Sequence, residues 1–262
     1  LGRLNKKIDV DIVVPNNAIN IGHEISNNCK GRFIILDKKR EVVRIIFKHI
    51  SIDIASQIGY SIEDDLCRRD FSINSIAFSF DEKLLIDPLN GLKDLELSLI
   101  RTKSNQNILD DPLRILRCFR LVSELNFNID ENLKNFIIKN KDKLNLVSKE
   151  RIVYELQKII RGEKSVNSIY LINKFKIFNY IERSDNSNHI NFRKINYQDF
   201  NQFEREKFLP LFNLIQILDD FSLKKLKFSK FEVSNAKILR KWESKIKQKS
   251  INDLDEIERY EL

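Results

Sequence analysis

From Ile8 to about Pro88 apolar and polar residues alternate in short runs, IDVDIVV, RFIILD, VVRIIF and ISIDIA, separated by polar or glycine-containing turns. A period of two sends successive side chains to opposite faces of an extended chain, so these runs predict the strands of a sheet. From about Leu109 the period changes. LDDPLRILRCFRLVSEL, ENLKNFIIKN, RIVYELQKIIR and VNSIYLINKF place apolar residues three and four apart, the spacing of one helix face. Gly162 is the last glycine, so the rest of the chain offers few sharp backbone stops and reads as helical, with SDNSNH at 184–189 as a loop. The pattern predicts an α+β protein: a head with a mixed sheet over residues 1–100, a helical neck over 101–162 and a helical body over 163–262.

Composition narrows the class. The 262 residues are 42% hydrophobic and include 18 phenylalanines, enough to bury a sizeable core. No apolar run approaches the roughly 18 to 20 residues that span a bilayer, and the first residues lack the apolar segment of a signal peptide. The expectation is a soluble, cytoplasmic protein with no membrane partner. Cys29, Cys67 and Cys118 are odd in number and widely spaced, which argues against a disulfide scaffold and a structural zinc site. The histidines His23, His49 and His189 show no metal-ligand spacing. A net charge of +8 favours a polyanionic partner, although by itself it is weak evidence. The chain contains no methionine and begins at Leu1, so it is expected to be a fragment, a processed form or the product of an unusual start.

Candidate chemistry begins in the first strand. In Ile8-Asp9-Val10-Asp11-Ile12 the aliphatic residues can enter a core while Asp9 and Asp11 project together from the other face. Two carboxylates in one small volume repel each other unless a cation neutralises them, and Mg²⁺ beside substrate phosphates does so. Residues 49–55 repeat the pattern and offer Asp53 as a third acid from a neighbouring strand. Metal held by these acids would activate a hydroxyl and stabilise a leaving pyrophosphate in an in-line displacement. Taken alone, Asp-x-Asp on a strand more often marks a solvated face.

Farther along come RRDFSIN at 68–74, LIDPLNGLKDL at 85–95, DDPLRILRCFR at 110–120 and RIVYEL at 151–156. Pro112 suits the first turn of a helix, and Asp110 or Asp111 before it can cap that helix, which should run to about Leu125. Arg114, Arg117 and Arg120 then form a slowly drifting stripe roughly 9 Å long. Guanidinium forks suit phosphates, while an Asp with an Arg one turn later can present an acceptor and donors to the edge of cytosine or adenine. Arg151 and Glu155 stand four apart, so an ion pair within the helix and a substrate contact are both open.

In that order and at those distances, the four strings resemble the RRDFTINAxA motif, the strand and turn that follow it, and the EDPLRILRxxRF and RIxxEL motifs of class II tRNA nucleotidyltransferases and bacterial poly(A) polymerases, over roughly residues 1–175. The resemblance implies a polymerase-β-like nucleotidyltransferase head and template-independent addition of CMP, AMP or both, from CTP and ATP, to the 3′ end of tRNA. It implies Mg²⁺ as cofactor, Asp9, Asp11 and Asp53 as catalytic acids with Asp9 and Asp11 as metal ligands, and an RNA-binding body. By the match, Asp111 and Arg114 template the base, Arg117 and Arg120 hold phosphates or ribose, and Arg69 grips the nucleotide, which is expected in a cleft between head and neck. No protein partner can be inferred. A poly(A) polymerase and an inactive RNA-binding member remain alternatives.

Three departures qualify the resemblance. Only Leu1-Gly2-Arg3 corresponds to the family's glycine-rich GGxVRD turn, so a phosphate cradle is missing from the head and the chain as given is expected to bind nucleotide weakly or not react. Asp110 stands where the family usually has Glu. Finally, 56 residues separate Asp11 from Arg68, and ISIDIA reaches SIEDDL through SQIGY alone. That leaves little room for the flexible loop of complete CCA-adding members and resembles enzymes that add CC only.

Overall fold

The computed structural model describes residues 8–181, 210, 212, 215 and 218–248. The Leu1-Gly2-Arg3 segment, the SDNSNH loop and much of the predicted body lie outside the described residues. The chain divides into two compact units, Leu1–Arg69 with Ala77–Pro88, and Asp70–Ile76 with Leu89–Leu262. It therefore passes from one unit to the other inside the RRDFSIN string, between Arg69 and Asp70. No helix among the described residues is long and apolar enough to cross a membrane.

The first unit is built on four strands, β1 (Ile8–Val14), β2 (Arg32–Asp37), β3 (Val42–Ile46) and β4 (Ile50–Ser56), in the order β1-β4-β3-β2. β1 runs parallel to β4 while β4–β3 and β3–β2 are antiparallel, so the sheet is mixed. All four were legible as alternating runs. A helix, α1 (Ala18–Cys29), was not. Asn16, Asn17, Gly22, Asn27 and Asn28 make that stretch look like a string of turns, yet Ala18, Ile21, Gly22, Ile25 and Ser26 recur at helical spacing. The helix lies on the sheet, where Ala18, Val43, Ile45 and Ile54 are buried and Ile12, Val14, Ile21 and Ile25 pack around them. Gly22 lets it approach: a Cβ there would sit 2.5 Å from Val43 Cγ2. Helix α2 (Ile62–Cys67) opens with a capping box in which Ser61 and Asp64 satisfy each other's backbone N–H groups. A hairpin of β5 (Ala77–Ser79) and β6 (Leu84–Ile86) completes the unit.

The described part of the second unit is mainly helical: α3 (Gly91–Glu96), α4 (Asn105–Asp110), α5 (Arg114–Leu125), α6 (Glu131–Asn140), α7 (Lys149–Arg161) and α8 (Ser165–Lys174), then helices Asp220–Lys225 and Lys230–Gln248. Two short strands, β7 (Leu99–Ile100) and β8 (Asn128–Ile129), pair in parallel. At its centre α5 buries Ile115, Leu116, Cys118, Phe119, Leu121 and Val122. Each large apolar side chain so removed from water stabilises the fold by about 1.5–3 kcal/mol before chain entropy is counted. Hydroxyls add two fixed points, Ser123 to the Ile159 carbonyl and Ser168 to the Phe119 carbonyl, both at 2.6 Å. The helix stops at the expected place, because Asn126 takes the left-handed conformation (φ 59°) that ends helices.

The turn LIDPLNGLKDL serves packing. A Cβ on Gly91 would stand 2.2 Å from the Ser72 carbonyl oxygen. Ser72 has little room to retreat: its N–H donates to the Arg101 carbonyl at 2.9 Å and its hydroxyl to buried Asp94 at 2.5 Å. Gly91→Ala is therefore expected to lower stability by about 1–3 kcal/mol, read as a fall in the denaturant midpoint. An unchanged midpoint would show that Ser72 yields without strain.

Candidate functional site

Register brings the acids of the first unit to one face. Ile8, Val10 and Ile12 on β1 stand opposite Ile50, Ile52 and Ile54 on β4, an aliphatic ladder of which only Ile12, Ile52 and Ile54 pack in the core with α1; contrary to the expectation from alternation, Ile8 and Val10 at the start of the strand are exposed, as is Ile50. The intervening residues share the other side, with Asp9 across from Ser51 and Asp11 across from Asp53. Arg44 on β3 lies opposite Asp53 from the third strand. Its Nε donates to Asp53 Oδ1 and its Nη2 to Oδ2, each at 2.7 Å, a bidentate fork that fixes this carboxylate. Ser51 Oγ donates to Asp9.

The sheet thus separates the three acids by environment. Asp9 and Asp11 are exposed, while Asp53 gives both oxygens to a guanidinium. Among the described residues no group of three or more His, Cys, Asp or Glu side chains is arranged to hold a metal ion. Two carboxylates still fit Mg²⁺, which is commonly held by one or two carboxylates with phosphate oxygens and waters completing its octahedron. Arg44 was missed by the sequence reading. Its signal was present, since in VVRII it occupies the polar phase of an alternating strand.

Arg69 and Asp70 adjoin in sequence and belong to different units. Arg69 pairs with Asp65, four residues earlier, at 3.2 Å. Asp70 is buried: Oδ1 accepts from the Phe71 N–H at 2.9 Å and from Asn74 Nδ2 at 3.1 Å, and Oδ2 accepts from Arg117 Nε at 2.6 Å and Nη2 at 2.5 Å. Burial alone would lower the Arg117 pKa. The charge and hydrogen bond of Asp70 more than offset it, leaving Arg117 raised above the usual guanidinium value. The RRDFSIN string therefore supplies the anchor for an arginine of the later motif.

The start of α5 differs from the expected one: Asp110 ends α4, Pro112 precedes the helix, and α5 begins at Arg114 after Leu113 with no side-chain cap, because Asp110 and Asp111 are taken up in closing α4. Asp111 is extended, its carbonyl accepts the Arg114 N–H at 2.9 Å, and its Oδ1 accepts the Leu113 N–H at 3.3 Å. Arg114 Nη1 donates to the Asn107 carbonyl at 2.8 Å. Burial holds its pKa below the usual value, partly opposed by the charges of Asp70 and Asp111.

Spacing treats Arg114, Arg117 and Arg120 alike, but the structure separates them. Arg120 lies against Glu155 of α7 with N–O distances of 3.3 and 3.4 Å, the two side chains only 13% and 2% exposed. That pairing makes it a brace between α5 and α7 and takes it away from the exposed stripe. The ion pair considered within α7 is replaced by two cross-links: Glu155 goes to Arg120, and Arg151 Nη2 donates to Asp111 Oδ2 at 2.8 Å.

With this geometry in hand, comparison with known proteins becomes specific. Residues 55–101 match the poly A polymerase head domain, and residues 126–183 match the probable RNA and SrmB-binding site of polymerase A. The chain is 36% identical over 160 residues to the CC-adding tRNA nucleotidyltransferase of Synechocystis sp., an alignment covering 61% of this chain and 38% of that protein. In both segments the chain is similar to the tRNA nucleotidyltransferase and poly(A) polymerase family.

It is also 30% identical over 181 residues to the A-adding tRNA nucleotidyltransferase of Halalkalibacterium halodurans, covering 61% of this chain and 42% of that protein. The chain thus spans less than half the length of the curated relatives it matches here. Among solved structures, the Thermotoga maritima CCA-adding enzyme complexed with tRNA-CCA aligns with a TM-score of 0.66 and 25% identity, over 90% of this chain and 61% of that one. These likenesses agree with the α+β architecture and the mixed sheet. Nucleotidyltransferases of the matched family generally use divalent metal ions.

Proposed function

We propose that this chain is the nucleotidyl-transfer part of an enzyme that adds CMP, AMP or both, from CTP and ATP, to the 3′ end of tRNA. One observation carries the reading: an exposed carboxylate pair on a mixed sheet occurs in the same chain as an Asp111–Arg114 pair fixed at the start of a buried helix. A base-reading pair without acids would only bind, and acids without a base-reading pair would not select.

Asp9 and Asp11 would hold Mg²⁺, which would supply activation of the RNA 3′-hydroxyl and charge stabilisation of the leaving pyrophosphate. Arg44 keeps Asp53 oriented beside them and lowers the local negative charge. Asp111 accepts from the exocyclic amino group of cytosine or adenine, and Arg114 donates to the adjacent ring acceptors. Arg69 and Arg117 approach the nucleotide as cations already set in place by Asp65 and Asp70. Arg120 contributes by holding α5 against α7. In organisation, the head, the neck with its nucleotide-reading helix and the RNA-binding body correspond to residues 1–100, 101–162 and 163–262. The basic surface would bind the tRNA acceptor arm by shape and phosphate charge, and the protein is proposed to work in the cytoplasm.

The link between β4 and α2 favours CC as the product. It comprises residues 57–61, and its backbone is tied down: Asp65 accepts the Ile58 N–H at 3.1 Å, and Asp64 accepts the Tyr60 and Ser61 N–H groups at 3.0 and 3.2 Å. A tether of this length cannot act as a long flexible loop, and several relatives are CC-adding tRNA nucleotidyltransferases. The test is to incubate the protein, and a form extended at its N-terminus, with Mg²⁺, CTP, ATP and tRNA ending at the discriminator base, and to sequence the products. Two added C residues are expected. A terminal A would overturn the CC assignment, an A tract would indicate a poly(A) polymerase, and no pyrophosphate release from either form would favour a binding role.

A further inference from the structure

Arg151 lies on α7, forty residues beyond Asp111, and reaches back to donate to Asp111 Oδ2 at 2.8 Å. Asp111 Oδ1 meanwhile accepts the Leu113 N–H at 3.3 Å. A carboxylate bound at both oxygens is restrained from turning about its Cβ–Cγ bond, yet it keeps further lone pairs for a third donor. The Arg151 and Asp111 side chains are 53% and 30% exposed, so the pair contributes little to folding and is placed where a ligand can reach it.

We propose that Arg151 is a positioning residue for base selection, holding Asp111 in the orientation that accepts an exocyclic amino group and thereby favouring cytosine and adenine over uracil and guanine. The inference rests on the reading of Asp111 and Arg114 given above. Cytosine N4 and adenine N6 donate, whereas uracil O4 and guanine O6 bring a lone pair toward the carboxylate. Uracil N3 and guanine N1 each carry a proton next to that oxygen. A carboxylate free to turn can follow this proton and tolerate the wrong base; one held by Arg151 cannot. A bidentate or well-aimed guanidinium is hard to replace by lysine, whose single ammonium restores charge and not direction.

The test compares the intact protein with Arg151→Ala and Arg151→Lys, measuring equilibrium binding of CTP, ATP and UTP together with kcat and KM for each. Arg151→Ala is expected to reduce the preference for CTP over UTP by about tenfold, through a higher KM for CTP and a lower KM for UTP, with the melting temperature unchanged. Arg151→Lys should recover part of the preference. An Arg151→Ala protein that keeps the full preference, or loses CTP and UTP binding equally, overturns the inference while leaving the functional reading in place. Failure of both the wild-type chain and a form extended at its N-terminus to bind any of the three nucleotides overturns the functional reading itself.

Discussion

Replacing Asp9 and Asp11 together by alanine should abolish nucleotidyl transfer, lowering kcat/KM by at least about 1,000-fold, while the protein remains folded. Both side chains are exposed on the face of β1 opposite the aliphatic ladder, so neither contributes to the core formed with α1. Their removal takes away two adjacent negative charges and leaves one hydroxyl, Ser51 Oγ, without its acceptor. Stability should therefore stay within about 0.5 kcal/mol, as for most surface substitutions. The loss is expected in chemistry because the remaining acid on that face, Asp53, is committed to Arg44 and is poorly placed to substitute as a ligand. Pyrophosphate release, measured beside a thermal melt, checks both halves. If the melt is unchanged and activity falls less than tenfold, the acids are surface decoration and the proposed chemistry fails.

Glu155→Ala should be the most destabilising single change in the helical unit, by about 3–5 kcal/mol. The cause is the guanidinium left behind. Arg120 is almost covered, and without Glu155 its nearest acid is Glu124 at 3.7 Å, exposed and one turn along the same helix. That second acid places the expected loss toward the lower end of the range. The pair already holds two buried atoms, Arg120 Nε and Glu155 Oε2, without a hydrogen bond, so it is not optimised for stability. Replacing both partners by apolar residues of similar volume, Arg120→Met with Glu155→Leu, should therefore recover most of the loss. Equilibrium denaturation of the single and double variants checks this. A single variant within about 1 kcal/mol of wild type would mean that the pair is solvated and that α5 needs no brace.

The same pair shows why sequence alone misjudged the arginine row. Helical spacing correctly places Arg114, Arg117 and Arg120 on one drifting stripe, because 3.6 residues per turn is a property of the backbone. It cannot tell which end of the stripe a neighbouring helix will cover. Asp70 and Glu155 lie 47 and 35 residues from their arginine partners, and nothing local to α5 announces either. Arg151 illustrates the point in reverse. Its local partner at four residues was available, and the fold instead gave it Asp111 and gave Glu155 to Arg120.

What the sequence determined is whatever depends on periodicity and on short motifs: the four strands of the sheet, the helices α5 to α8, the end of α5 at Leu125, the common face of Asp9 and Asp11, and the likeness to a family. Those features are set by residues within a few positions of one another, where backbone geometry and side-chain alternation leave few alternatives. Tertiary structure decided the rest. Asparagine-rich α1 became a helix because it could bury Ala18, Ile21 and Ile25 on the sheet. It also determined which carboxylates stay open and which meet a guanidinium, since a charge buried by a distant segment must find its partner among whatever that segment brings.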